Sequence, residues 1–170
     1  MDFLELAKER YSVRSFSDRP VEQEKISLIL EAAKVAPTAV NYQPQKLYVI
    51  SDPEALAKLS AIRPLFGAPL AIIVCYDDSL SWKNSRDSRH DSGEVDAAIV
   101  TTHMMMEAWD LGIGSCWIGA FSPAAVAALF DIPENEHPVA ILPLGYRTSD
   151  CKPSEMHNKF RPCSEMVKFV

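Results

Sequence analysis

At 170 residues and 18.9 kDa the chain has room for one domain with its own core. A hydrophobic share of 48% and a charged share of 24% are those of an ordinary globular protein, and a net charge of -6 argues against a general nucleic-acid binder. Residues 1–5 are acidic where a secretory leader is basic, and the longest uncharged run, 64–76, is shorter than the roughly 20 residues a membrane helix needs, so a cytoplasmic protein with no membrane partner is expected.

The four cysteines, Cys75, Cys116, Cys151 and Cys163, are widely spaced and read as free thiols. Residues 2–10 are predicted helical, because Phe3, Leu6, Ala7 and Arg10 follow the i, i+3, i+4, i+7 rule and Asp2 suits an N-cap. That helix delivers Arg10 into the stretch Arg10-Tyr11-Ser12-Val13-Arg14. Two guanidiniums, each a planar fork of donors that stays charged, together with the Ser12 hydroxyl suit a phosphate dianion. An isolated R-x-x-x-R is also what a solvated basic turn looks like. A second helix is expected over 22–35 through Ile26, Ile29, Leu30 and Ala33, stopped by Pro37. A proline-bounded loop, 37–45, then carries Asn41 and Gln43, whose paired donors and acceptors match the edge of a heterocycle.

Residues 46–51 read as a strand, and Asp52-Pro53 opens a helix to about Ile62. Residues 70–76 (LAIIVCY) read as a strand buried on both faces. Residues 77–93 are polar and without period, and are expected to form a surface excursion or lid; Arg86, Arg89 and His90 there could meet a ligand or simply be solvated. The helix predicted over 94–111 is apolar nearly all round, which calls for burial on most sides, in part against a second copy of the chain. Residues 114–121 (GSCWIGAF) form a strand-like run entering a turn, Ser122-Pro123 caps a helix to about Phe130, and 138–144 is a strand whose Pro143 marks an edge or an end. The tail from Cys151 closes with an alternating stretch, 165–170, able to add a strand. The order of elements points to an α+β or three-layer α/β/α fold around a small sheet.

Gly112, Gly114 and Gly119 have the wrong spacing, and the wrong order of helix and strand, for a Rossmann loop. Neither His103 with Glu107 nor Cys151, His157 and Cys163 matches a usual zinc spacing, and no G-x-S-x-G is present.

Taken in order, several stretches resemble the nitroreductase family of FMN-dependent oxidoreductases. They are R-x-S-x-R at 10–14, A-P-T-A-x-N-x-Q-P at 36–44, L-G-I-G at 111–114, C-W-I-G-A-F at 116–121, L-P-L-G-Y at 142–146, and a basic tail followed by E-x-V at 165–167. The resemblance implies a single FMN-binding domain over 1–170, built on a small, mainly antiparallel sheet flanked by helices. It implies a homodimer with the long helix and the flavin at its interface and the tail 151–170 packed on the partner. Arg10, Tyr11, Ser12 and Arg14 would hold the phosphate, with Lys159 and Arg161 reaching it from the tail. Pro37, Thr38, Asn41 and Gln43 would meet the ring, from the other subunit, and the turn Ile118-Gly119-Ala120 would bring a backbone N–H to flavin N5. NADH or NADPH would pass a hydride to the flavin, and a nitroaromatic, quinone or related small molecule would then take the electrons at the same place, in ping-pong order. Gln45 stands where many relatives place an aromatic residue. Two alternatives stay open: a non-catalytic flavin-binding or flavin-handling protein, and a metal or thiol protein built on Cys151, His157 and Cys163.

Overall fold

Asp2 starts the first helix by accepting from the Leu4 N–H at 2.9 Å, and α1 (Phe3–Glu9) ends where Arg10 turns extended. The computed structural model describes residues 2–87 and 91–170, so Arg89 and His90 lie outside the described residues; Arg86 is exposed. Helix α2 (Gln23–Val35) buries Ile26, Ile29 and Ala33 at the expected spacing. Strand β1 (Gln45–Ile50) leads into α3 (Pro53–Ile62), capped by the Asp52 carboxylate on the Ala55 N–H at 2.9 Å. Then follow β2 (Leu70–Asp77), α4 (Gly93–Asp110), β3 (Gly114–Ser115), α5 (Pro123–Leu129), β4 (Glu136–Gly145) and the single turn α6 (Cys163–Met166).

The strands form one four-stranded sheet in the order β1-β2-β4-β3, with every ladder antiparallel and one parallel bridge, Ser12 to Ser115, beside it. Strand β2 shows why its sequence is apolar throughout. Leu70, Ile72 and Val74 face the layer made by α2 and α4, whereas Ala71, Ile73 and Cys75 face the one made by α3 and α5. The result is the expected three-layer α+β architecture. No helix among the described residues is long and apolar enough to cross a membrane.

Four expectations change. Strand β4 is an interior strand that runs past Pro143 to Gly145, not an edge. The proline accepts from Cys116 N–H through its carbonyl at 3.3 Å but has no N–H to return, so the ladder breaks there. That break shortens β3 to Gly114–Ser115 instead of a run over 114–121, and pairing resumes only as a bridge between Ile118 and Ile141. The stretch 165–170 adds no strand in this chain: Cys163–Met166 forms a helical turn, and Phe169 and Val170 are fully exposed. Lastly, α4 is not covered on most sides within one chain. Ala97, Val100, Met104 and Ala108 are buried, while Val95 and Thr102 are exposed and Ala98, Ile99 and Met106 only partly covered.

Candidate functional site

Leaving α1, the chain runs extended beside β3, where the Val13 N–H donates to the Ser115 carbonyl at 2.9 Å. This close approach requires glycine at 114, because a Cβ there would stand 2.7 Å from Val13 Cγ2. Farther on, the Phe16 and Ser17 N–H groups donate to the carbonyls of Phe66 at 3.1 Å and Tyr146 at 2.8 Å. The stretch 10–14 is therefore held by the sheet as a rigid rim and is not a free turn. Tyr11 packs edge-on against Trp109 at 5.1 Å, faces His157 at 6.0 Å, and donates its hydroxyl to the Cys151 carbonyl at 3.3 Å. The start of the tail is thereby anchored next to the rim.

Burial chiefly pushes the Cys116 thiol above its ordinary value, opposed by the positive charges of Arg14, Arg10 and Arg63 and by the Ser12 hydroxyl, so the field at this end of the sheet is positive, with Arg14 and Arg63 exposed to solvent. Arg10 Nη1 is buried without a hydrogen-bond partner in the chain, and so is Ser115 Oγ. A buried polar group left unpaired costs about 1–3 kcal/mol, more when charged, and a guanidinium can only donate. The cluster thus lacks an anionic acceptor, which a phosphate supplies. Arg63, the C-cap of α3, went unpredicted. Its one signal in the sequence is a lone cation ahead of the uncharged run 64–76, and only the fold sets it near Arg10 and Arg14.

The loop after α2 is built differently. Val40, Asn41 and Gln43 have φ of 54°, 57° and 52°. Such left-handed backbone costs a non-glycine residue on the order of 1–3 kcal/mol, and a β-branched valine resists it most. The conformation is held internally: Gln43 N–H donates to Thr38 Oγ1 at 3.0 Å, and Gln43 Nε2 to Asn41 Oδ1 at 3.2 Å. Asp96 Oδ1 accepts from the Ala39 N–H at 2.9 Å, fastening the loop to the start of α4. Thr38 is half-buried, whereas Pro37, Asn41, Tyr42 and Gln43 are exposed. Tyr11 contacts Trp109 at the far end of the same helix. At a rise of about 1.5 Å per residue, Asp96 and Trp109 stand about 20 Å apart, so the loop and the rim of one chain sit at opposite ends of α4.

The turn 118–120 continues from β3 at the rim end. Ile118 and Ile141 exchange backbone hydrogen bonds of 2.9 and 3.0 Å, and Gly119 and Ala120 follow in the open. A Cβ on Gly119 would meet nothing nearer than the Trp117 ring, 3.6 Å away, so packing within the chain does not demand glycine there. Lys159 and Arg161 are exposed beyond His157, and no described contact joins them to the arginine cluster. Among the described residues no group of three His, Cys, Asp or Glu is placed to hold a metal ion.

A separate groove of about 590 Å³ lies between α1, α2 and α4, lined by Phe3, Leu28, Val35, Thr102 and Met106 among others. It is chiefly apolar and away from the arginines. Phe3, Leu28 and Val35 are 72%, 48% and 67% exposed on its walls.

Comparison with known proteins agrees with this geometry. Residues 7–63 and 63–146 match the family model described as the nitroreductase family. A crystal structure of a nitroreductase family protein from Clostridium difficile 630 superposes with a TM-score of 0.93 at 42% identity, covering 99% of this chain and 98% of that one. An FMN-dependent nitroreductase from Clostridium difficile R20291 superposes with a TM-score of 0.80 at 26% identity, over 98% of each chain. A relative from Methanothermobacter thermautotrophicus, provisionally named NADH dehydrogenase/NAD(P)H nitroreductase, is 35% identical over 159 residues, 86% of this chain and 78% of its own. The chain belongs to the nitroreductase family.

Proposed function

We propose that two copies of this chain hold FMN between them and pass a hydride from NADH or NADPH, in ping-pong order, to a nitroaromatic, quinone or related acceptor. At the coarser level the chain is an FMN-dependent oxidoreductase working with NAD(P)H. One observation carries the assignment of the site: on the stretch 10–14 and the strand beside it, Arg10 Nη1 and Ser115 Oγ are buried without a partner in the chain.

Those residues fit a mononucleotide phosphate. Arg10 and Arg14 supply fixed charge and forked donors, Ser12 a hydroxyl, and Arg63 further charge from α3. Lys159 and Arg161 reach the same anion if the tail continues over the rim from its anchor at Tyr11. FMN, when bound, supplies the ring that takes up the hydride and gives up the electrons. Ile118, tied to Ile141, sets the turn in place, and Gly119 and Ala120 offer backbone N–H groups at the rim, where a missing Cβ leaves room for a ring to approach; such donors stabilise charge arriving on it. Asn41 and Gln43, already oriented by each other and by Thr38, present amides to the ring edge.

Their distance from the rim within one chain supports the dimer. Pairing two copies through the open side of α4 and the apolar groove sets the loop of one beside the rim of the other. The exposed tail, with Phe160, Met166 and Phe169 on its surface, then packs on the partner.

The test is direct. Purified protein should be yellow, release FMN on denaturation, and bleach when NADPH or NADH is added anaerobically; a panel of nitroaromatics and quinones should restore the colour. Bound FMN that neither nicotinamide reduces would leave a flavin-handling protein instead.

A further inference from the structure

We infer that Asp96 is a positioning residue for the flavin ring: its carboxylate sets the conformation of the 38–43 loop and couples it to the neck of the 77–93 excursion. The inference rests on the reading above, that Asn41 and Gln43 meet the ring.

Asp96 is 2% exposed, in the first turn of α4. A carboxylate there is ordinarily a solvated group favoured by the helix dipole. This one is spent otherwise, with each oxygen assigned to a different element. Oδ1 leaves its own helix to accept from the Ala39 N–H at 2.9 Å, immediately before Val40 and Asn41 enter the left-handed region. Oδ2 accepts from the Ser92 hydroxyl at 2.7 Å. The same hydroxyl accepts from the Trp82 N–H at 3.1 Å, and the Ser92 N–H donates to the Trp82 carbonyl at 2.9 Å. Beside it Lys83 and Asp91 pair across the neck, Nζ to Oδ2 at 3.1 Å. A continuous chain of hydrogen bonds therefore runs from Trp82 through Ser92 and Asp96 to Ala39.

Two features mark this as positioning and not simple burial. The bonds within the loop, from Gln43 to Thr38 and Asn41, all start beyond the valine, whereas the Ala39 N–H just before Val40 is taken up from outside the loop by Asp96. The imposed contact is at Ala39, and the groups whose direction it sets, the amides of Asn41 and Gln43, point outward and bury nothing in their own chain. Holding an exposed pair of amides in strained backbone contributes nothing to the fold; it pre-organises donors and acceptors for something that comes to them.

The test is a double-mutant cycle on the full-length protein, read by FMN binding through fluorescence quenching and by the shape of the bound-flavin absorbance band. Asp96→Ala is expected to weaken FMN binding roughly fivefold, the scale of one hydrogen bond. The same change made in the Asn41→Ala, Gln43→Ala double variant should cost nothing further and in Asn41→Ala alone less than in the parent, whereas in Arg14→Ala its effect should multiply in full. Asp96→Asn, which keeps an oxygen for Ala39 and an amide for Ser92 Oγ, should restore the parent affinity and band shape. If Asp96→Ala does not fold, Ser92→Ala takes its place in the cycle with the same expected coupling to Asn41. Equal losses in all backgrounds, or parent affinity in Asp96→Ala, overturn the inference while leaving the flavin site standing. A parent protein that takes up no FMN overturns both.

Discussion

The two ends of α4 solve opposite problems. At the Trp109 end the stretch 10–14 is extended and locked beside the sheet, but side-chain groups are left over: Arg10 Nη1 and Ser115 Oγ have no partner. At the Asp96 end the backbone is strained at Val40, Asn41 and Gln43, while Thr38, Ala39, Asn41, Gln43 and Asp96 are paired with one another. The first region is incomplete without an anion. In the second the amides of Asn41 and Gln43 are already paired and face outward. A site whose affinity resides in unpaired charge and whose orientation resides in a pre-set loop needs both ends near one ligand, and a single chain holds them about 20 Å apart.

The largest effect should come from keeping the two ends apart. Thr102→Glu places a charge on the open side of α4, at an exposed position that its own fold tolerates. An unpaired charge at a packed interface costs about 3–5 kcal/mol, so the protein should sediment as a monomer, and FMN affinity should fall with it. A monomeric variant with parent FMN affinity would break the comparison, because one chain would then hold the cofactor alone. Next in size are Arg10→Ala and Arg14→Ala. Each removes a charge-assisted contact of about 1.5–3 kcal/mol, or roughly 10- to 150-fold in FMN affinity, with the dimer intact. Riboflavin, which lacks the phosphate, should bind parent and variants alike in the same titration. Equal losses for riboflavin would assign the arginines to the ring and not the phosphate.

These two ends were unequally legible in the sequence. The rim could be read because its chemistry lies in residue types: arginines and a hydroxyl within one short stretch, after a helix with clear periodicity. Arg63 was hidden because nothing local distinguishes it; its proximity to Arg10 is a property of the sheet that joins α3 to β3. The loop was legible as Asn41 and Gln43, but its strain was not: Asn41 tolerates positive φ, whereas nothing in A-V-N-Y-Q asks for it at Val40 or Gln43. Asp96 looked like an ordinary acidic residue in the first turn of a helix. Strand β4 misled for a related reason. Pro143 signals an edge only when its missing N–H would leave a partner unsatisfied along a full ladder, and here the neighbouring strand is itself interrupted at that point. The apolar circumference of α4 was read as a demand for burial on most sides, and one chain meets only part of it.

Smaller effects sharpen the rim end. Gly119→Ala fits within the chain, its nearest neighbour being the Trp117 ring at 3.6 Å, so the melting temperature should stay at the parent value. If a ring lies against this turn, FMN affinity should nevertheless drop by roughly tenfold, the scale of about 1.4 kcal/mol for a crowded contact. A variant that melts and binds like the parent would remove 118–120 from the ring's surroundings.

The smallest effect concerns how the rim end is tied down. Tyr146 donates its hydroxyl to Glu22 Oε2 at 2.6 Å and accepts from Lys25 Nζ at 2.9 Å, while that amine also donates to the Leu111 carbonyl at 2.8 Å. The start of α2, the end of α4 and the end of β4 are thus joined through one phenol. The hydrogen bond from Tyr146 chiefly, with Arg19 adding to it, lowers the Glu22 carboxyl from its usual 4.5 to about 2. A folded value below the unfolded one means stability that is fully present above about pH 4.5 and lost as pH falls through about 2. Solvent around Glu22 screens the gain, so it is small. Thermal melts of the parent and Glu22→Gln should therefore differ slightly at pH 6 and converge across that window. A gap that stays constant down to pH 3 would mean that the carboxylate charge is not what secures Tyr146, and that the Lys25 contacts alone hold the three elements together.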